Sequence, residues 1–211
     1  MNLAAAFAPL VDLIYPPRCP LCGYAIGVQS GLCAVCWALL EPAGTEDGIT
    51  AGVLYNDAAR DLILAFKHGG KIALAPMLAR IVNTRLGAVE SDWLAVPVPL
   101  HRMRLWHRGY NQSALLAREL AKLAGCELLV DGLKRTKATP MLGGLGRNER
   151  RAALAGAIVP HPARAARIKG AKVLLVDDVL TSGATTDACI AALKQAGAAK
   201  VRIACFARVA E

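Results

Sequence analysis

The chain has 211 residues, of which 55% are hydrophobic and 19% charged, and a formal net charge of +9. This composition excludes a disordered chain and leaves room for one full α/β domain plus a small module. The basic balance points to anionic partners (phosphorylated small molecules, nucleic acid or an acidic membrane surface), against the plainer reading of solubility charge.

The first fifteen residues, MNLAAAFAPLVDLIY, are apolar but lack a basic leading segment and are interrupted by Asp12. They do not read as a signal peptide, and residues 2–14 are expected to form a short helix packed on the rest of the protein. No run of about 18 apolar residues occurs, so no membrane span is expected and the cytoplasm is the default compartment.

Four cysteines follow in CPLCGYAIGVQSGLCAVC: Cys19, Cys22, Cys33 and Cys36, spaced C-x2-C-x10-C-x2-C. Each C-x-x-C pair can present two thiolates to one metal, and four thiolates complete a tetrahedral zinc shell. Gly23 and Gly31 supply the backbone freedom that such knuckles need. Disulfides fit poorly with a chain showing no export signal, and a redox pair needs no second C-x-x-C. Structural zinc is therefore expected, with a module spanning residues 1–42. Cys126, Cys189 and Cys205 read as core residues.

After Cys36, WALLEPAGTEDG reads as a linker broken by Pro42, Gly44 and Gly48. From residue 49 to 211 strands and helices alternate. ITAGVLYN is a strand, Asp57 caps a helix to about Lys67, and KIALAPMLARIVNTRL is a second helix. DWLAVPVPL (92–100) is an apolar strand ending in prolines, and residues 111–125 form a helix closed by Gly125. ELLVDGLKRT gives a short strand pair or strand-turn. AKVLLVDDV (171–179) is the most apolar strand, as suits the centre of a parallel sheet. A capped helix, TTDACIAALKQAGA, and a strand, KVRIACFARV, complete an α/β order with helices flanking a parallel sheet.

The stretch VLLVDDVLTSGATT carries the strongest chemical signal. Ligands of open α/β sheets bind beyond the carboxyl ends of the strands, which puts Asp177 and Asp178 at the mouth of a site. The small residues Thr181, Ser182, Gly183, Ala184 and Thr185 then lead to a helix N-terminus, where backbone N–H groups can cradle a phosphate. The carboxylates repel that phosphate and suit sugar hydroxyls or, through water, Mg²⁺. A phosphorylated sugar satisfies both halves. Upstream, His101, Arg102, Arg104, His107 and Arg108 lie between a strand end and a helix start. By itself this cluster fits a diphosphate site or a solvated basic loop equally well.

VLLVDDVLTSGAT resembles the phosphoribosyl-diphosphate-binding signature of type I phosphoribosyltransferases. With the four-cysteine module and VPVPLHRMRLWHRGYNQSALLA, the whole chain resembles the ComF family, the competence protein F-like phosphoribosyltransferases. The resemblance implies a parallel-sheet type I phosphoribosyltransferase fold with a small zinc-ribbon-like module. It implies Asp177 and Asp178 as ribose ligands and Thr181 to Thr185 as the 5′-phosphate loop. Lys67, His101, Arg102, Arg104 and Arg108 become candidate diphosphate contacts, and Mg²⁺ accompanies the substrate. Residues 139–158 match the family's flexible loop and keep Arg147, Arg150 and Arg151. Leu142 and Ala153 stand where the family commonly has Gln and Asn, which puts turnover in doubt.

Three functions follow as expectations. One is transfer of phosphoribose from phosphoribosyl diphosphate to an acceptor that the sequence does not identify. Another is a DNA-uptake or DNA-processing accessory role, contacting single-stranded DNA or a helicase-type partner. The third is a sensor that binds phosphoribosyl diphosphate without turnover. Aromatic residues are 5% of the chain, and beyond Trp106 and Tyr110 none interleaves with the basic segment, so a stacking platform is poorly supported. Oligomeric state is left open.

Overall fold

The computed structural model describes residues 16–28, 31–46, 48–68, 70–137, 149, 154 and 156–210. The expected N-terminal helix (2–14) and the loop positions Leu142, Arg147, Arg150, Arg151 and Ala153 lie outside the described residues.

The central element is strand β7 (Lys172–Leu180), in which Val173, Leu174, Leu175 and Val176 are all fully buried. Burying each such side chain contributes about 1.5–3 kcal/mol, which holds the strand in the middle of the sheet. It pairs in parallel with β8 (Lys200–Arg208) on one side and β3 (Trp93–Pro97) on the other. The parallel sheet continues through β2 (Ile49–Leu54) beyond β8 and through β4 (Glu127–Leu128) beyond β3. β1 (Thr45–Glu46) adds an antiparallel edge, giving the order β1-β2-β8-β7-β3-β4.

Period-two alternation sends side chains to both faces of this sheet. Leu174, Val176, Ala204 and Phe206 join a cluster formed by α2 (Asp57–His68), α3 (Ala75–Leu86) and α5 (Gln112–Ala124). Val173, Leu175 and Ile203 face Cys189 and Leu193 of α7 (Ala184–Gln195) and Ile168, which ends α6 (Ala165–Ile168). Gly52 marks a close approach. A Cβ there would lie 2.9 Å from Ile81 Cγ2 and 3.1 Å from the Phe206 carbonyl, so α3 rests directly on β2.

Several local expectations change. Asn56, not Asp57, caps α2: its Oδ1 accepts from the Ala59 amide at 3.0 Å. The helix after the Thr181–Gly183 loop starts at Ala184 behind Gly183, which sits at φ +73° with no side-chain cap. ELLVDGLKRT holds two strands that do not pair with each other. β4 joins the main sheet, whereas β5 (Leu133–Arg135) pairs antiparallel with β6 (Ile158–Pro160) in a separate ribbon. The linker is pinned down as well. The Ala43 amide donates to the Gly52 carbonyl, the Leu54 amide donates to the Glu41 carbonyl, and Leu40 is buried in the main core. Of the cysteines read as core, Cys189 and Cys205 are fully buried and Cys126 is half-buried.

No helix among the described residues is long and apolar enough to cross a membrane.

Candidate functional site

β3 stops at Pro97, opposite Val176, because Pro97 and Pro99 cannot continue a ladder of amide donors. β7 runs on, so Asp177 and Asp178 emerge where the neighbouring strand has ended. They are held differently. Asp177 Oδ1 accepts from Ser113 Oγ and from the Asp178 amide, each at 2.9 Å. Asp178 is 4% exposed; its Oδ1 accepts from the Val179 amide at 2.9 Å and its Oδ2 meets Lys67 Nζ at 2.8 Å. Burial, reinforced by the neighbouring Asp178 charge, pushes the Asp177 carboxyl up to about 7.

Both carboxylates line a cleft of about 300 Å³. Thr181 and Thr185 form one wall, at the N-terminus of the 12-residue helix α7. Asn111, Gln112 and Ser113, at the start of α5, form another. Asn111 caps that helix by accepting from the Ser113 amide at 3.1 Å, and its Nδ2 donates to the Val98 carbonyl at 3.0 Å. Among the described residues three cations reach the cleft: Lys67 from α2, Arg104, and Arg135 from β5.

The basic cluster is thereby divided. Residues Arg102–Arg108 form a helix, α4, between the strand end and the next helix, and none of its residues is buried. Of the expected diphosphate contacts only Lys67 and Arg104 line the cleft. His101 is buried and caps α4, its Nδ1 accepting from the Met103 amide at 3.3 Å. Arg102 is exposed, and Arg108 donates to the buried Gln112 Oε1. Arg102 and Arg108 are not among the cleft-lining residues. Tyr110 turns inward and donates to the Phe66 carbonyl, leaving Trp106 as the exposed aromatic of the segment.

Sequence reasoning missed Ser113, Gln112 and Arg135. Ser113 and Gln112 carried no signal beyond a helix start. Arg135 did: it follows Leu133 by two residues in a strand, so one face must carry both, and a charged residue at an inward position calls for a purpose.

The four cysteine sulfurs lie within 4.8 Å of one another, with Cys22 and Cys33 3.6 Å apart. A tetrahedron of thiolates about 2.3 Å from zinc has edges of about 3.8 Å, so the donor set fits that ion. Gly23 takes φ +75° in the first knuckle as expected, whereas Gly31 does not adopt a positive φ. Backbone amides of Cys22, Cys33 and Leu21 outweigh the effect of burial and pull Cys19 down to about 6, as suits a thiolate ligand. The second pair opens α1 (Ala34–Ala38), whose Cys36 amide donates to Cys33 Sγ at 3.5 Å. Leu21 and Leu32 pack against the main core.

The sequence profile of the phosphoribosyl transferase domain matches residues 111–211, and that of the double zinc ribbon domain matches residues 10–47. The chain is 31% identical to the DNA utilization protein YhgH of Salmonella typhi, over 90% of this chain and 83% of the relative. It is 28% identical to competence protein F of Haemophilus influenzae, over 91% of this chain and 85% of the relative. Among solved structures, the glutamine phosphoribosylpyrophosphate amidotransferase of B. subtilis gives a TM-score of 0.40 at 20% identity, covering 64% of this chain and 26% of that one. With an intact paired-acid strand edge, a four-cysteine centre and these relatives over most of its length, the protein belongs to the ComF family of competence protein F and YhgH.

Proposed function

We propose that this chain binds 5-phospho-α-D-ribosyl 1-diphosphate at the carboxyl edge of the sheet and acts as a phosphoribosyltransferase. The carrying observation is the junction of β7 and α7: two carboxylates at the strand end are followed, after Val179 and Leu180, by a small-residue loop at a helix N-terminus. Asp177, Asp178, Thr181 and Thr185 line one cleft, whereas Ser182, Gly183 and Ala184 are not among its lining residues. Asp177 and Asp178 accept from the ribose hydroxyls. Thr181 to Thr185 direct N–H and hydroxyl donors at the 5′-phosphate. Lys67 and Arg104 supply positive charge for the diphosphate that leaves.

The Oδ1 atoms of both acids accept hydrogen bonds, whereas the buried Asp178 Oδ2 meets only the Lys67 ammonium among the described residues. That donor set fits an Mg²⁺ held mainly by the ligand's own oxygens, with Asp177 reaching it directly or through water. Bound there, Mg²⁺ would spread the negative charge of the leaving diphosphate. Among the described residues none is assigned to the acceptor, and a cytoplasmic setting suits such a substrate.

Titration calorimetry with Mg²⁺ and phosphoribosyl diphosphate tests the binding. The wild type should bind, and an Asp177→Asn/Asp178→Asn double variant should not; equal or absent binding in both sinks the reading. Diphosphate release in an acceptor screen then separates transfer from a sensor that binds without turnover.

A second reading, a DNA-linked accessory role, draws on the relatives' names and on α4. Trp106 is 76% exposed there, packs edge-on to His107 with ring centroids 5.0 Å apart, and lies near the exposed Arg102. Salt-dependent binding of a single-stranded oligonucleotide should vanish when Arg102, Arg104 and Arg108 are neutralised and weaken with Trp106→Ala. Binding indifferent to all four would remove α4 from consideration.

A further inference from the structure

Tyr110 belongs to neither of the helices that flank it. α4 ends at Arg108 with Gly109 as its C-cap, at φ +81°, and Asn111 is the N-cap of α5. From the turn between them the Tyr110 ring packs on Phe66, with centroids 6.5 Å apart and planes inclined at 41°. Its hydroxyl donates to the Phe66 carbonyl, which lies 44 residues back along the chain. The last carbonyls of a helix have no partner within it. In α2 the Ala65 carbonyl accepts from the nearby Lys71 amide at 3.4 Å, and the Phe66 carbonyl is satisfied by Tyr110.

That carbonyl shares one planar peptide unit with the amide of Lys67. A bond to its oxygen therefore fixes the direction in which the Lys67 side chain leaves the helix. Lysine has a long stem with many rotamers, and its ammonium stays on one carboxylate oxygen only where the main chain beneath it is held. Lys67 Nζ does so, 2.8 Å from Oδ2 of the buried Asp178. The turn itself is referenced to the same strand. Asn111 Nδ2 donates to the Val98 carbonyl at 3.0 Å, and the Val98 amide donates to the Val176 carbonyl of β7 at 2.9 Å. The contacts thus run from Val176 through Val98, Asn111, Tyr110, Phe66 and Lys67 to Asp178, leaving β7 and returning to it two residues later.

We propose that Tyr110 is a positioning residue for Lys67: its hydroxyl closes this circuit and holds the ammonium on Asp178. The positioning needs no ligand. Only its consequence for binding rests on the phosphoribosyl diphosphate reading.

A double-mutant cycle on the full chain tests it, combining Tyr110→Phe, which keeps the ring and removes the donor, with Lys67→Met. In urea unfolding without ligand, Tyr110→Phe should lower stability, and roughly half of that loss should vanish when Lys67→Met is already present. Asp178→Asn, which leaves no stranded carboxylate, takes the place of Lys67→Met if that variant fails to fold. In calorimetry with Mg²⁺ and phosphoribosyl diphosphate, Tyr110→Phe should weaken binding about 3- to 10-fold, because a loosened ammonium must be ordered on binding. In the Lys67→Met background the same change should alter binding by no more than about twofold. Strict additivity in unfolding would make the hydroxyl an ordinary helix cap and overturn the proposal, as would a Tyr110→Phe protein as stable as the wild type. Weakened binding that persists undiminished without Lys67 would overturn it too. A wild type that binds no phosphoribosyl diphosphate overturns the ligand reading and leaves the unfolding cycle to decide this one.

Discussion

Lys67 Nζ lies 2.8 Å from Asp178 Oδ2, joining the last turn of α2 to the end of the central strand through side chains that are 24% and 5% exposed. With so little exposure the pair is weakly screened by salt, and Asp178 depends on Lys67 for its charge balance. In the ligand-free protein Lys67 thus serves the acid pair. A diphosphate entering the cleft would compete for it.

Lys67→Met should cost about 1–3 kcal/mol of stability in urea unfolding, because it strands a buried carboxylate. Adding Asp178→Asn to that variant should return part of the loss. If the second change only adds to the first, the pair is not coupled.

The raised Asp177 value carries a pH dependence. The folded group holds its proton up to about pH 7, whereas an unfolded aspartate releases it near 3.9. Its contribution to stability is therefore full below about pH 4 and is lost as pH rises toward 7. Ligand-free Asp177→Asn should lack this part of the decline in a pH series of unfolding curves. Superimposable profiles for variant and wild type would contradict it.

Gly183→Ala should destabilise the protein by about 1–2 kcal/mol, since φ is +73° there and a β-carbon meets nothing within 4 Å. The cost is thus one of backbone conformation, not of a clash. Phosphate-probe affinity should fall with it, as the loop before α7 relaxes. Unchanged unfolding would mean that the loop takes another conformation freely.

Protein purified without chelator should contain one zinc per chain, and Cys36→Ala should lose it. Trp37 adjoins the centre and is 53% exposed, so its fluorescence should shift when a chelator strips the metal. Metal-free protein with unaltered Trp37 emission would exclude a zinc-held module.

Much of the architecture was legible because it depends on local pattern. The run Val173–Val176 can only be buried, and its burial places Asp177 and Asp178 at an edge. The alternation of strands with amphipathic helices fixes a parallel sheet. The cysteine spacing likewise fixes the donors of the four-sulfur centre. Charge was harder to read. Arg102, Arg104 and Arg108 are alike in sequence, yet α4 exposes the first, aims the second at the cleft and turns the third to Gln112. Helix phase separates them, and a segment of seven residues is too short to reveal its own phase.

By itself, then, the sequence determined the acid-bearing edge of the sheet: strand burial, small loop residues and paired acids are properties of contiguous residues. Only the tertiary structure decided the rest of the cleft. Lys67, Ser113 and Arg135 come from α2, α5 and the β5–β6 ribbon, between 42 and 111 residues before the acids they approach. Such groups meet because the helices and the ribbon bury their apolar faces against the sheet, and no local pattern records where that packing leaves their polar ends.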